Sequence, residues 1–224
     1  DAGLTPRQWF ACPDLLEGDG PARPTDVEAF DVSEPVFRKV AYREHPEGLL
    51  ALFEQPRWSL ELLNARDVAA PPLWLVAVGL HKPGNLGAIA RSAAAAGATG
   101  VLVADAVVDA FNPNAIRAST GAVFDLPIVG AASDELIERL KKAGITRVVS
   151  VSEGGDDYTR VDLTGPCAIV VGAEDVGVPD VWLHGDGVQR VTIPMHRQRV
   201  DSLNASVAAG VLLFEAARQR GAVG

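Results

Sequence analysis

From Leu73 onward, short apolar runs alternate with segments of helical length. The apolar runs lack regular polar positions, which predicts strands that are buried on both faces. These predicted strands are LWLVAVGL, GVLVAD, DLPIVG, TRVVSVS, CAIVVGA and VQRVTIPM. The predicted helices are LGAIARSAAAAG, NPNAIRAST, SDELIERLKKAG, VPDVWLHG and a last helix from about Leu203 to Arg218. This alternation predicts an α/β fold, with a mostly parallel sheet and helices on both of its faces.

The front of the chain has a different pattern, in which apolar runs are separated by polar turns. QWFACP, VEAFDV and GLLALFE predict strands, and SEPVFRKVAY predicts a helix with Ser33 as N-cap and Pro35 in its first turn. The next stretch, QPRWSLELLNARDVAAPP, ends in a proline pair and is typical of a linker or connecting helix. We therefore expect a small domain over residues 1–55, a linker over 56–72 and a main domain over 73–224.

Composition narrows the class of protein. The chain has 224 residues, of which 48% are hydrophobic and 22% charged, as in a soluble globular protein without a membrane-spanning segment. Cys12 and Cys167 lie far apart in the sequence, which predicts free thiols and a reducing, cytoplasmic location. The four histidines have no zinc-ligand spacing with each other or with the cysteines, so we expect no metal.

The formal net charge of −9 repels nucleic acid at long range. An RNA partner would therefore need a local basic patch. One candidate patch is Arg38, Lys39 and Arg43 in FRKVAYRE, and a second is Arg197 with Arg199. Ordinary solvated surface charges remain an equally good interpretation of both groups.

Three polar loops follow predicted strands: HKPGNLGAIARS, GAEDVGVP and IPMHRQRVDSLNAS. Ligands of open α/β sheets bind beyond the carboxyl ends of the strands, so these loops predict the functional site. The first loop also permits a nicotinamide-dependent oxidoreductase, with Asp105 placed to bind a ribose. Gly84 and Gly87 are three residues apart and the third glycine of G-x-G-x-x-G is missing, which makes this the weaker hypothesis.

The three loops together carry a family resemblance. NLGAIARSAAAAGATGVLV, IVVGAEDVGVP and VTIPMHRQRVDSLNASVAAGVLLFEA resemble, in order and spacing, the three motifs of the SpoU (TrmH-like) branch of the SPOUT RNA methyltransferases. The resemblance spans about Leu73 to Arg220, and NPNAIRASTGAVFDLPIV is similar to the family's middle section. SEPVFRKVAYREHPEGLLALF is similar to the end of the L30e-like RNA-binding domain of many members. The usual start of that domain is missing here, so an incomplete domain is expected.

This resemblance implies a fold, a reaction and an assembly. The fold would be a parallel sheet with a deep trefoil knot in its C-terminal segment. S-adenosylmethionine (AdoMet) would donate a methyl group to a ribose 2′-hydroxyl in tRNA or rRNA. The protein would be a homodimer with active sites at the subunit interface. The alternative is a non-catalytic RNA-binding protein of the same fold, although the polar residues kept in all three loops argue against it.

The resemblance also implies roles for individual residues. The cofactor would be held by Gly172, Ile193, Met195, Leu203 and Asn204. Taken singly, Gly172 also fits a turn glycine, and Ile193 and Met195 also fit core residues. Arg117 is a further candidate RNA contact beside the two basic patches.

The catalytic positions that the resemblance implies are Asn85, Arg91, Glu174, Ser202 and Asn204. Arg91 would act across the dimer interface. Because a guanidinium stays protonated, we expect Arg91 to bind a phosphate and polarise the hydroxyl rather than act as a base. Glu174 and Asn204 would orient these groups by hydrogen bonds, and Ser202 also fits the N-cap of the last helix.

Overall fold

The computed structural model divides the chain into two compact units, Asp1–Pro56 and Arg57–Gly224. Each unit has a sheet of its own. The structure describes all residues except 1–3, 19, 65–69, 197–201 and 222–224.

The first unit contains a three-stranded sheet and one helix. The strands are β1 (Pro6–Ala11), β2 (Glu28–Asp31) and β3 (Leu49–Phe53), and the helix is α1 (Glu34–Val40). The central strand β1 pairs with β2 in parallel and with β3 in antiparallel orientation. Ser33 stands at the N-cap position of α1, as its sequence context predicts, but its side chain makes no capping hydrogen bond. The L30e-like identity of this unit stays a prediction.

The second unit is built on a seven-stranded sheet in which every neighbouring pair is parallel, in the order β6-β5-β4-β9-β7-β10-β8. Its strands are β4 (Leu73–Val78), β5 (Gly100–Ala104), β6 (Ile128–Ala131), β7 (Thr146–Ser150), β8 (Asp156–Asp157), β9 (Cys167–Val171) and β10 (Val188–Thr192). Its helices are α2 (Pro83–Ala95), α3 (Pro113–Ser119), α4 (Ser133–Lys142) and α5 (Ala205–Gln219).

Both faces of this sheet are covered, as the unbroken apolar strands predict. Every residue of β4 is buried. Leu75 and its same-face neighbours pack in one cluster with apolar residues of α2 and α5, while Val76 and its neighbours pack in a second cluster with α4 and Trp182. The predicted fold class, a mostly parallel α/β sheet between helices, is confirmed.

The structure departs from the sequence-based prediction in short elements. VPDVWLHG forms only one 3-10 turn, Asp180–Trp182, and the two-residue strand β8 was not predicted. Residues 60–64 form another 3-10 turn, whose Leu63 is 5% exposed and belongs to the second unit's core. The predicted knot depends on a segment that includes residues 197–201, which lie outside the described residues, and it stays a prediction. Across the described part of the chain, no helix has the length and apolar character needed to cross a membrane.

Candidate functional site

A cavity of about 540 Å³ lies beyond the carboxyl ends of β9, β7 and β10, which are neighbours in the sheet. This volume is in the range of pockets that bind small molecules, about 300 to 1,000 Å³. Loops that follow parallel strands meet at one edge of the sheet, so segments distant in sequence line a single space. The lining residues are Ser150, Val151, Ser152, Glu153, Val171, Gly172, Ala173, Glu174, Asp175, Val176, Gly177, Val178, Leu183, Arg190, Ile193, Met195, Ser202, Leu203, Ala205 and Ala208.

Gly172 lies where the end of β9 packs closely against the backbone of Gly177 and Val178 in the loop that follows it. A Cβ atom at this position would lie 2.1 Å from the carbonyl oxygen of Gly177 and 2.5 Å from the backbone nitrogen of Val178. The loop folds back here because Gly177 adopts a positive φ of 72° and donates its N–H to the carbonyl of Ala173 at 2.8 Å. The interpretation of Gly172 as a turn glycine is therefore wrong, since the positive φ is at Gly177 and Gly172 permits a close backbone approach.

A cluster of hydrogen bonds joins the three polar loops at Glu174. The side-chain amide of Asn85 donates to Glu174 Oε1 at 2.9 Å, and the amide of Asn204 donates to the same oxygen and to Asn85 Oδ1, the latter at 3.3 Å. Lys82 Nζ donates to the other carboxylate oxygen at 2.9 Å. Asn85, Glu174 and Asn204, which are far apart in sequence, thus form one polar cluster, and Lys82 extends it.

The electrostatics of this cluster favour the carboxylate form of Glu174. Hydrogen bonds from Lys82 and then from Asn85 hold the pKa of the Glu174 carboxyl below its usual range. An ionised carboxylate is an acceptor only, so it can bind both asparagine amides through one oxygen and the ammonium through the other. Glu174 therefore orients its neighbours and is a poor candidate for a general base at neutral pH.

Asn204 has a second role as the N-cap of α5. Its Oδ1 accepts the backbone N–H of Ser206 at 3.0 Å and the Ser206 hydroxyl at 2.6 Å. The interpretation of Ser202 as the N-cap is wrong, because the helix begins at Ala205 and the capping residue directly precedes it. Ser202 is exposed and lines the cavity. One asparagine thus both starts the helix and donates to Glu174.

The residues proposed for the cofactor surround the same cavity. Gly172, Ile193, Met195 and Leu203 all line it. Ile193 also packs partly against the core, whereas Met195 is 41% exposed, so the interpretation of Met195 as a core residue is wrong.

Arg91 lies apart from this cluster. It is exposed on α2, six residues after Asn85, and that separation turns a helix through about 240°. Arg91 is not among the described residues that line the cavity of its own chain. Its neighbour Ser92 contacts α5, where a Cβ on Gly210 would lie 3.8 Å from the serine hydroxyl oxygen. Arg91 is therefore an exposed residue of a helix that packs against α5.

The basic patch of the first unit is partly neutralised. Arg38 Nε donates to Glu34 Oε1 at 2.7 Å, and Arg43 pairs with the carboxylate of Glu47. Lys39 is exposed on α1. Two of the three predicted RNA contacts thus have a carboxylate partner four residues away, which reduces the positive potential of the patch.

The remaining candidate RNA contacts belong to the second unit. Arg117 is exposed on α3 and donates to Asn114 Oδ1 at 3.0 Å. Arg197 and Arg199 lie outside the described residues. The assignment of all three to RNA stays a prediction.

Asp105 is engaged in a structural hydrogen-bond chain. Its carboxylate accepts the backbone N–H of Ser133 at 3.0 Å and also the Ser133 hydroxyl, whose oxygen accepts the indole N–H of Trp182 at 2.9 Å. The Ser133 hydroxyl and then its backbone N–H hold the pKa of the Asp105 carboxyl below its usual range. The Asp105 carboxylate therefore accepts hydrogen bonds from the first residue of α4. It is not free to bind a ribose, as the oxidoreductase hypothesis needs.

Several residues at the site were missed by sequence reasoning. Ser150–Glu153, at the end of β7 and just after it, line the cavity. The sequence SEGG at residues 152–155 is polar and rich in glycine, which is the same signal as in the other three loops. Lys82 stands in the first predicted loop, but nothing in the sequence pairs it with Glu174. Arg190 lies inside β10 and has no signal, since an arginine within a strand usually faces solvent.

These observations first define a class: an α/β protein with a ligand cavity and an Asn–Glu–Asn cluster at the ends of parallel strands. The family model of the SpoU rRNA methylases matches residues 72–214. The chain belongs to this family, as its three motifs predict.

Relatives named as rRNA methyltransferases cover most of the chain. The 23S rRNA (guanosine(2553)-2′-O)-methyltransferase RlmP of Bacillus subtilis is 30% identical over 190 residues, which are 85% of this chain and 73% of the relative. The 23S rRNA (guanosine-2′-O-)-methyltransferase RlmB of Ralstonia nicotianae is 34% identical over 198 residues, or 84% of this chain and 75% of the relative.

Solved structures agree with the fold. A crystal structure of an RNA 2′-O ribose methyltransferase is 39% identical, has a TM-score of 0.82, and is matched over 98% of this chain and 83% of its own. The SpoU methyltransferase AviRb from Streptomyces viridochromogenes, in complex with AdoMet, is 28% identical with a TM-score of 0.83, over 98% of this chain and 84% of its own.

Proposed function

We propose that this protein is an AdoMet-dependent methyltransferase that acts on a ribose 2′-hydroxyl of RNA. The observation that carries the proposal is the Asn85–Glu174–Asn204 cluster, which unites three separate loops beside a cavity of ligand size. Membership of the SpoU family supports the reaction, and the names of its relatives favour rRNA over tRNA as the acceptor.

The cavity suits AdoMet in size and lining. Ile193, Met195 and Leu203 offer an apolar wall for the adenine ring, and the folded-back loop at Gly172 presents backbone groups to its polar edge. Asn204 would fix the end of this wall through its cap on α5. When bound, AdoMet supplies a methyl group activated by a sulfonium.

The polar residues would position the acceptor hydroxyl and the groups around it. Methyl transfer is an in-line displacement, so the acceptor oxygen must be held near the methyl carbon. Glu174 fixes the amides of Asn85 and Asn204 by accepting from both, and Ser202 adds a hydroxyl to the cavity wall. Arg91 would bind the adjacent phosphate and polarise the 2′-hydroxyl, whose proton would pass to phosphate or water.

Arg91 would reach the acceptor from a second copy of the chain. Val207 and Phe214 on α5 are 50% and 46% exposed, and with Val211 they form an apolar stripe at helical spacing. Arg91 is exposed on α2, the helix that packs against α5. We therefore propose a homodimer in which this stripe is buried and Arg91 enters the partner's active site.

The first unit is proposed to be part of an L30e-like RNA-binding domain, over residues 1–55, and to be joined by residues 56–72 to the catalytic domain over 73–224. The basic residues proposed to contact RNA are Arg38, Lys39, Arg43, Arg117, Arg197 and Arg199. We place the reaction in the cytoplasm, and the C-terminal trefoil knot belongs to the same proposal.

The direct test is methyl transfer in vitro. The protein is incubated with labelled AdoMet and separately with unmodified rRNA or tRNA, and 2′-O-methyl nucleosides are measured by mass spectrometry. We expect a methylated ribose with rRNA and AdoMet binding by calorimetry. Neither binding nor methylation with any RNA would refute the function.

The shared site is tested by mixing two inactive variants, Arg91→Ala and Glu174→Gln. If Arg91 acts in trans, each mixed dimer has one site with both residues intact. An equal, freely exchanging mixture should then recover about a quarter of the wild-type activity, since half of the dimers are mixed. Under action in cis, no site would be complete and the mixture would stay inactive.

A further inference from the structure

One wall of the cavity has no role in the proposed binding of the adenine ring or in methyl transfer. It consists of Ser150–Glu153, at the end of β7 and just after it, and Arg190 of the neighbouring strand β10. The backbone N–H of Val151 donates to the carbonyl of Val191 at 2.9 Å, which joins the two segments directly. The two segments therefore form adjoining parts of the cavity wall, and both Glu153 and Arg190 line it.

Arg190 is the only cationic side chain among the described residues that line the cavity. The lining carboxylates are Glu153, Glu174 and Asp175, and Glu174 already binds Lys82 and two asparagines. No hydrogen bond or ion pair engages the Arg190 guanidinium or the Glu153 carboxylate within the described part of the chain. An unengaged guanidinium in a cavity wall is suited to a carboxylate, which it can bind through two parallel hydrogen bonds.

AdoMet carries a carboxylate and an ammonium together at the end of its methionyl tail. We propose that Arg190 binds this carboxylate and that Glu153 accepts the ammonium, so that the β7–β10 wall is the tail subsite of the cofactor cavity. This inference rests on the proposed function, because it requires AdoMet in the cavity. It gives two residues outside the three family motifs a role in cofactor recognition.

Four nucleosides separate the contributions by chemistry. AdoMet and S-adenosylhomocysteine carry both tail charges, decarboxylated AdoMet lacks the carboxylate, and 5′-methylthioadenosine lacks both charges. Their dissociation constants are measured by calorimetry for the wild type, Arg190→Met, Arg190→Lys and Glu153→Gln. Arg160→Met is the matched control, because Arg160 is exposed and is not among the cavity residues.

We expect Arg190→Met to weaken AdoMet and S-adenosylhomocysteine about tenfold, as for a charged hydrogen-bonded pair that is partly exposed to water. Binding of decarboxylated AdoMet and 5′-methylthioadenosine should change less than twofold. Arg190→Lys should restore part of the lost affinity, since it keeps the charge but not the planar fork. Glu153→Gln should weaken decarboxylated AdoMet but spare 5′-methylthioadenosine.

An equal loss for all four nucleosides in Arg190→Met would overturn the inference, since the arginine would then act on the cavity as a whole. Unchanged AdoMet affinity, with or without weaker RNA binding, would also overturn it. A wild-type protein that binds AdoMet no better than 5′-methylthioadenosine would refute the tail subsite alone. Failure of the wild type to bind any of the nucleosides would refute the proposed function as well.

Discussion

Gly172→Ala is the sharpest probe of the cavity, because it adds one methyl group at a defined place. The new Cβ would lie 2.1 Å and 2.2 Å from the carbonyl oxygen and carbon of Gly177, and 2.5 Å from the nitrogen of Val178. All three are backbone atoms, so no side-chain rotation can relieve the contact. The loop that folds back at Gly177 must move as a unit.

Overpacking of a well-packed region costs about 1 to 3 kcal/mol, and rigid backbone neighbours place this site near 3 kcal/mol. For a unit of this size, each kcal/mol lowers Tm by roughly 2 to 4 °C, so we expect a fall of about 6 to 12 °C. Residues 173–178 line the cavity, so their displacement would change its shape. AdoMet binding should therefore weaken at least tenfold, which corresponds to about 1.4 kcal/mol or more.

Thermal unfolding followed by calorimetry and AdoMet titration at a temperature below both transitions are the two assays. Gly84→Ala is the control, because a Cβ there meets no atom within 4 Å and its φ is not positive. In the helix α2 this control should be neutral or stabilising by up to about 1 kcal/mol. If Gly172→Ala matches the wild type in both Tm and AdoMet affinity, the close backbone approach at Gly172 is contradicted.

Three further outcomes follow from the same contacts. Arg91→Ala should abolish methyl transfer while AdoMet affinity stays within about twofold, since the arginine acts on the acceptor; a large loss of affinity by calorimetry would contradict this role. Asn204→Ala should lower stability by about 1 to 2 kcal/mol and weaken AdoMet, whereas Asn204→Asp, which keeps a capping oxygen, should lose activity with less loss of Tm. Lys82→Met should raise the pKa of Glu174. Because the folded-state pKa of Glu174 is depressed, its favourable contribution is present at neutral pH and is lost as pH falls through that pKa. The acid limb of the pH–rate profile should therefore move to higher pH in Lys82→Met and should not move in Lys142→Met, a change in another exposed lysine that pairs with Glu138.

The sheet and most helices could be predicted from the sequence because burial on both faces leaves a simple pattern. LWLVAVGL has no polar position, and all six residues of β4 are buried in the structure. The order of the strands in the sheet could not be predicted in this way, because an unbroken apolar pattern does not show which strands are neighbours. β7 lies between β9 and β10, and that neighbourhood is what places the loop at Ser150–Glu153 in the cavity.

The candidate site could be predicted only where side-chain type and loop position coincide. Asn85, Glu174 and Asn204 are polar residues of segments that the sequence predicts as loops after strands, and they meet in the structure, where Asn85 lies in the first turn of α2. Arg190 is a polar residue within the strand β10. Whether such a side chain reaches the cavity depends on the face of the sheet that it occupies, which the sequence does not show. The N-cap of α5 was misplaced for a related reason, because Ser202 and Asn204 are both good capping residues and only the helix start decides between them.

The contacts of Glu174 limit where the proton of the acceptor hydroxyl can go. Both of its carboxylate oxygens already accept hydrogen bonds, from Lys82 on one side and from Asn85 and Asn204 on the other. These hydrogen bonds favour the ionised carboxylate, and the lowered pKa of Glu174 opposes uptake of a proton. Arg91 cannot accept a proton because its guanidinium stays charged. The proposed reaction therefore needs an acceptor outside the Asn–Glu–Asn cluster, and the phosphate that Arg91 would hold beside the ribose is chemically suited to that role.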